Sequence, residues 1–124
     1  MFLGKIKKSH EFSSVFKTGK YLKLSSLTVQ YKRKPFKAAK HSSRYGIVVS
    51  KKVGNAVQRN FIKRRIRALL NNINFSFEKK SVDYVFVARK NLIKIKFSAL
   101  YIELCDALKK INQSGTWTNK KIYY

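Results

Sequence analysis

The sequence predicts an α+β sandwich, a central mixed sheet with helices packed on it, in the order α-β-β-α-β-α with an additional strand where the long first β region breaks. Three observations predict it. Tyr21 to Lys34 alternates with period two, Leu27, Val29 and Tyr31 against Thr28, Gln30 and Lys32, as a strand with one packed and one wet face does. Arg44 to Ser50 (RYGIVVS) is a strand that runs through Gly54 and Asn55 into helix-spaced sequence, a connection that suits a crossover better than a hairpin. Val82 to Arg89 (VDYVFVAR) is almost continuously apolar, as expected of a central strand paired in parallel with Tyr45 to Ser50. A chain of 124 residues fits one domain, residues 1–124, with 112–124 as a C-terminal tail.

Taken in order, the chain starts with a basic lead, after which Ser9 is the expected cap of a short helix with Phe12, Val15 and Phe16 on one side and Gly19 as its stop. The two phenylalanines at i and i+4 read either as core or as the lining of a base-stacking cleft on a partly covered sheet. Ser25 and Ser26 mark a bend in the first β region. Residues 34–43, KPFKAAKHSS, hold the only proline and read as a basic loop, either solvated or an accessory RNA contact.

The segment Ser50 to Leu70 (SKKVGNAVQRNFIKRRIRALL) carries seven Lys or Arg and no acid. Asn55 with Gln58 three residues on forms the N-x-x-Q variant of a capping box. With Arg59 at zero and 100 degrees per residue, Ile62, Ile66, Leu69 and Leu70 span roughly 280 to 20 degrees, whereas Lys63, Arg67, Asn60 and Arg64 span roughly 40 to 140 degrees. One flank packs and its neighbour presents cations. Arg59 falls toward the apolar side and Arg65 outside the cationic arc. After Asn71 the chain relaxes into INFSFEKKS. A last helix over Lys96 to Ile111 places Phe97, Leu100, Tyr101, Leu104, Leu108 and Ile111 at core spacing, with Cys105 as a small buried hydrophobe among them. The tail, with Trp117 and the terminal tyrosines, has no clear period.

The charge balance narrows the function. There are 29 Lys or Arg against 5 Asp or Glu, a net charge of +24, and sixteen cations lie between Glu11 and Glu78 with no acid among them. Such self-repulsion is relieved by a polyanion, with counterion release adding to the gain, and nucleic acid is the expected partner. The lone Cys105 excludes an internal disulfide and a multi-cysteine zinc site. No apolar run approaches the roughly 18 to 20 residues that span a bilayer, and no signal-peptide stretch follows the basic N-terminus, so no membrane partner and a cytoplasmic location are expected.

Protein-borne catalysis finds little support. Glu11, Glu78, Asp83, Glu103 and Asp106 form no compact acidic cluster of the kind a two-metal nuclease needs. His10 and His41 lack any local spacing for acid-base work, and there is no H-x-x-x-H, G-x-S-x-G or phosphate-binding glycine loop. A helix-turn-helix is disfavoured because a strand precedes the cationic helix. Phosphate contacts do have a source, in Lys51, Lys52, Arg59, Lys63, Arg64 and Arg67, while Asn60 either fixes a sugar or base edge or anchors the helix start.

Arg59-Asn60-Phe61-Ile62-Lys63-Arg64-Arg65-Ile66-Arg67, preceded by Ser50-Lys51-Lys52-Val53-Gly54-Asn55-Ala56-Val57, resembles the signature of the bacterial ribonuclease P protein subunit. The resemblance covers roughly residues 5 to 111, including the Phe12/Phe16 helix, the Val29-Gln30-Tyr31 strand and Val82 to Arg89. It implies a left-handed parallel β-α-β crossover, against the right-handed one that general statistics favour. It implies an accessory subunit with no catalytic residue in the protein: the catalytic RNA cleaves precursor tRNA at the mature 5′ end, with Mg²⁺ held by RNA phosphates and substrate. It further implies one protein copy per holoenzyme, RNA binding through Lys51, Lys52, Arg59, Asn60, Lys63, Arg64 and Arg67, and Phe12, Phe16 and Tyr31 around a cleft for the precursor's 5′ leader. No protein-borne metal site is expected. Ala68 stands where many related motifs carry an acid, which leaves the surface still more positive. The competing function is a ribosome-associated or RNA-chaperone protein that uses the same helix without joining an endonuclease.

Overall fold

The computed structural model describes residues 4–33, 43–73 and 82–112. The loop expected over 34–43 and the stretch INFSFEKKS lie outside these apart from Ser43 and Ile73, as do His41, Glu78 and the tail beyond Asn112. The elements are β1 (Gly4–Lys5), α1 (Ser9–Thr18), β2 (Lys20–Lys23), β3 (Leu27–Arg33), β4 (Arg44–Val48), α2 (Ala56–Asn72), β5 (Val82–Ala88) and α3 (Phe97–Asn112), with 3-10 turns at Lys51–Val53 and Lys90–Lys94. The strands form one sheet in the order β1-β4-β5-β3-β2. β4 is parallel to β5 and β1, while β3 is antiparallel to β5 and β2.

The apolar run of β5 is explained by its place: it is the central strand, and of its residues only Val87 is not fully buried. The additional strand falls where Ser25 and Ser26 break the alternation. There the Glu103 carboxylate of α3 accepts from the Ser25 amide at 3.1 Å and from the Ser25 and Ser26 hydroxyls at 2.7 and 2.8 Å, fastening the β2–β3 bend to the last helix. β1 was not expected, since two residues carry no period.

Ser9 is not the cap of α1. Lys8 takes that position and the Glu11 carboxylate reaches back to the Lys8 amide at 3.3 Å. The helix starts one residue earlier than the serine suggests because Glu11 then falls at its third position, where a carboxylate meets both the free amides and the positive helix end. Gly19 does end it, its amide bonding the Val15 carbonyl at 2.9 Å. A Cβ there would meet the carbonyl oxygens of Tyr31 and Val15, so only glycine lets the chain turn this close to β3.

The sheet has two unlike faces. One is sealed by α2 and α3, where Ile62, Ile66, Leu69 and Leu70 pack with Leu100, Leu104 and Leu108 against Val29, Tyr31, Tyr84 and Phe86. Each such side chain contributes roughly 1.5–3 kcal/mol on burial, far above any propensity difference within α2. Among the described residues the other face is covered only by α1, through a small cluster of Ile6, Val15 and Val85 with Phe12, Val48 and Val87 half-buried beside it. Arg44 on β4 ties this layer together: its guanidinium donates to Asp83 on β5 at 2.8 and 3.1 Å and to Glu11 on α1 at 3.1 Å.

The crossover from β4 through α2 to β5 is left-handed, and the hydrogen bonds show why. Tyr45 packs on the α2 side, and its carbonyl accepts from the Ile6 amide just past β1 at 2.8 Å. An L-residue in a strand running upward, side chain toward the viewer, points its carbonyl to the right. Seen from α2, then, β1 lies right of β4 and β5 lies left, so the chain steps leftward, against the usual hand.

Candidate nucleic-acid interface

The cationic segment is set rigidly at its start. Asn55 Oδ1 accepts from the Gln58 amide at 2.8 Å and Gln58 Oε1 accepts from the Asn55 amide at 2.9 Å, the reciprocal box its spacing predicts. Before it, the 3-10 turn displays Lys51 and Lys52, both exposed. Lys51 follows Val48 by three residues, so it stands within about 11 Å of the end of β4.

Along α2, Asn60, Arg64 and Arg67 are exposed and Lys63 is half-buried. Arg59 folds back to donate to the Gly54 carbonyl at 2.8 Å, and Arg65 donates to the Leu92 carbonyl at 3.0 Å. Those two bonds account for the arginines that fall outside the cationic arc. Among the described residues none of Lys51, Lys52, Arg59, Lys63, Arg64 and Arg67 has an acidic partner: Glu11 and Asp83 are held by Arg44, Glu103 by the two serines, and Asp106 stands exposed on α3 with no ion pair to any of these cations. The positive end of the helix adds to their field.

On the opposite face, the residues expected around one cleft separate. Phe12 lies against Gly46, where a Cβ would strike its ring, so this phenylalanine is a spacer between α1 and β4. Phe16, one turn on, is 44% exposed. Tyr31 does not join them: it is 2% exposed and belongs to the cluster under α2 and α3. The period-two alternation is the reason, since it holds Tyr31 with Leu27 and Val29 and turns Thr28, Gln30 and Lys32 toward α1. Lys32 confirms the direction by donating to the Ser14 hydroxyl at 2.6 Å.

Among the described residues, what this face offers beyond α1 is an open end. Half-buried Val48 and Val87 pair across β4 and β5, with Thr28 opposite Val87 on the other side and Lys23 opposite Thr28. Tyr21, opposite Gln30 and 62% exposed, stands on the same face. Sequence reasoning missed it because its direction depends on the length of the Ser25–Ser26 bend. The turn bearing Lys51 and Lys52 leaves β4 at this end of the sheet, as Arg89 leaves β5.

Among the described residues no group of three or more His, Cys, Asp or Glu is placed to hold a metal ion, and no helix is long and apolar enough to cross a membrane. His10 is exposed on α1. Cations without acidic partners along one helix and a half-open sheet face, both among the described residues, mark this small α+β domain as an RNA-binding protein in class.

The family follows from comparison. The ribonuclease P family model matches residues 4–112. The chain is 34% identical over 119 residues to the ribonuclease P protein component of Streptococcus pneumoniae, covering 94% of this chain and 93% of that one. It is 37% identical over 107 residues to that of Mycoplasma mycoides subsp. mycoides, covering 86% and 94%. Its fold is similar to the Staphylococcus aureus RNase P protein (TM-score 0.70, 26% identity, 94% of this chain and 99% of that one). It is also similar to the Thermotoga maritima protein (TM-score 0.73, 29% identity, 88% and 98%). The chain belongs to the ribonuclease P protein family: it is a protein subunit of the ribonucleoprotein that processes precursor tRNA, an accessory to an RNA that holds the active site.

Proposed function

We propose that the chain docks on its catalytic RNA through Lys51, Lys52, Arg59, Asn60, Lys63, Arg64 and Arg67. The precursor's 5′ leader is carried along the open part of the α1 face, beside Phe12 and Phe16. The observation that carries this reading is the row of α2 cations without acidic partners among the described residues. Phosphates are the missing partners: arginine grips them with a planar fork and lysine follows as a mobile charge. At the α1 face, the exposed ring of Phe16 and the shallow Val48–Val87 floor offer stacking and apolar contact to an unpaired strand of any sequence. Tyr31, buried on the other face, supports that region from below and does not line it.

The protein supplies position and charge. Mg²⁺ prefers oxygen ligands, chiefly carboxylates and phosphates, and the described carboxylates do not fit such a site, since Glu11 and Asp83 share Arg44, Glu103 is bound to serines and Asp106 belongs to no cluster of metal-ligating groups. The Mg²⁺ of phosphodiester hydrolysis therefore belongs to the RNA-based centre. A net charge of +24 lessens repulsion between catalytic RNA and substrate, and opposes a second copy nearby, in keeping with one protein per holoenzyme. The cytoplasm, where precursor tRNA is made, is the site of action, and residues 1–124 act as one RNA-binding domain.

Reconstitution with the cognate catalytic RNA at low Mg²⁺ tests the reading. Added protein accelerates leader removal and shows no specific processing alone; no acceleration by folded protein with intact RNA overturns it in favour of an RNA chaperone. Replacing Arg59, Lys63 and Arg67 together by glutamine lowers both the affinity for the catalytic RNA and the steepness of its salt dependence, by up to about 0.9 in slope per lost phosphate contact on duplex RNA-like surfaces. Unchanged values of both remove this face as the principal contact.

A further inference from the structure

The outermost face of α2 is not cationic throughout. Counting 100 degrees per residue from Arg59, Val57, Ala68 and Phe61 fall at roughly 160, 180 and 200 degrees, next to Arg64 at roughly 140 degrees and opposite the buried flank. Val57 is 77% exposed and Phe61 45% exposed. A bare apolar strip on the helix that faces a polyanion calls for an explanation, because phosphates gain nothing from it.

The Phe61 ring is also held in place. The Arg65 guanidinium lies over it, 5.8 Å from the ring centroid, and Arg65 is itself anchored to the Leu92 carbonyl at 3.0 Å. A chain of fixed groups thus runs from the 3-10 turn after β5 to an aromatic ring displayed at the surface. Cation–π contact of this kind holds an exposed side chain that would otherwise lose rotamer freedom on binding. The cationic row of Lys63, Arg67 and Arg64 runs along one side of the ring.

We propose that Phe61 is a stacking platform for an unpaired base of the catalytic RNA, with Arg65 as its positioning residue. The inference rests on α2 being the RNA-docking helix. RNA phosphates seated on the cationic row bring the nucleotides they belong to over the adjoining strip, and an unpaired base has a π-face to lay on the open ring. A second copy of this chain is the other occupant of an apolar strip, and the row of unpartnered cations beside Phe61 opposes it.

The test uses the full chain and the cognate catalytic RNA, with native protein, Phe61→Leu, Phe61→Trp and the Arg59/Lys63/Arg67 triple variant. Leucine keeps an apolar side chain on an exposed helix position without a π-face, and circular dichroism checks that each variant is folded. Phe61→Leu weakens RNA binding by about fivefold or more while leaving the salt slope unchanged. Phe61→Trp binds as well as the native chain or better. Chemical probing shows one unpaired nucleotide protected by the native chain and by Phe61→Trp and released by Phe61→Leu.

Equal affinity of native and Phe61→Leu overturns the platform, as does equal weakening by leucine and tryptophan. Self-association of native protein that Phe61→Leu abolishes assigns the strip to a second copy and likewise overturns it. If the triple variant binds as the native chain does, the docking reading of α2 fails first; if it weakens and flattens the salt dependence while Phe61→Leu does not change affinity, the platform alone fails.

Discussion

Arg44 shows what single residues do in this protein. Hydrogen bonds donated to Asp83 and then to Glu11 raise its pKa above the usual guanidinium range, so it stays charged at every accessible pH. The Arg44 hydrogen bond, as the largest cause, pulls the Glu11 carboxyl below its ordinary 4.5. A carboxyl depressed in the fold stabilises it at pH above the unfolded value and ceases to do so as pH falls through the lower folded value. Stability therefore declines on acidification from about pH 5 downward, and Glu11→Gln makes the decline shallower in urea titrations run from about pH 6 to about pH 3; superimposable curves would show that the pair contributes nothing. Phe16 is the other residue to change. Phe16→Ala lowers affinity for leader-bearing precursor and leaves mature tRNA binding as it was, and equal losses for both substrates would place the leader elsewhere. The sequence spoke clearly about Phe12 and Phe16 as a pair and was silent on their difference. Gly46 decides that, by letting one ring close onto β4, and no local pattern records a contact between residues that far apart.

At the scale of elements, α2 was the most legible. Its cap, its buried flank of Ile62, Ile66, Leu69 and Leu70 and its cationic flank all follow from spacing, because a helix converts sequence interval directly into direction. Asn55→Ala removes the bond that the Asn55 side chain accepts from the Gln58 amide and keeps the backbone amide that donates to Gln58 Oε1, and the unfolding free energy falls by about 1 kcal/mol, within a range of about 0.5–2. Thermal or urea unfolding reads it, and a loss below the low end would mean that neighbouring groups cap α2 instead. Tyr31 was legible too, but only through strand alternation; the resemblance drew it toward a cleft that its own parity rules out. β1 and the 3-10 turns at Lys51–Val53 and Lys90–Lys94 were not legible. Elements of two to five residues carry no full period, and pairing such as Gly4 with Arg44 is set by where the chain has already been led.

For the whole molecule, charge dominates. With +24 on 124 residues, the free chain repels itself, so added salt raises its melting temperature by screening. Bound to catalytic RNA the dependence reverses, since salt weakens the complex that stabilises the fold. Melting curves at about 50 and about 200 mM salt, with and without the RNA, show the crossing; parallel shifts in both would mean that RNA binding does not draw on these cations.

The left hand of the crossover is what puts the two proposed RNA surfaces on opposite sides of one small domain. With the strand order unchanged, a right-handed path from β4 to β5 would carry α2 across the sheet face where α1 sits, burying Val48, Val87 and Thr28 beneath a helix and closing the floor of the leader path. The rarer hand sends α2 behind the sheet and, among the described residues, leaves the front to α1 alone. On the docking proposed above, chirality acts as a partition, assigning the enzyme's RNA to one side of the protein and its substrate to the other, with the Lys51–Lys52 turn at the rim between them.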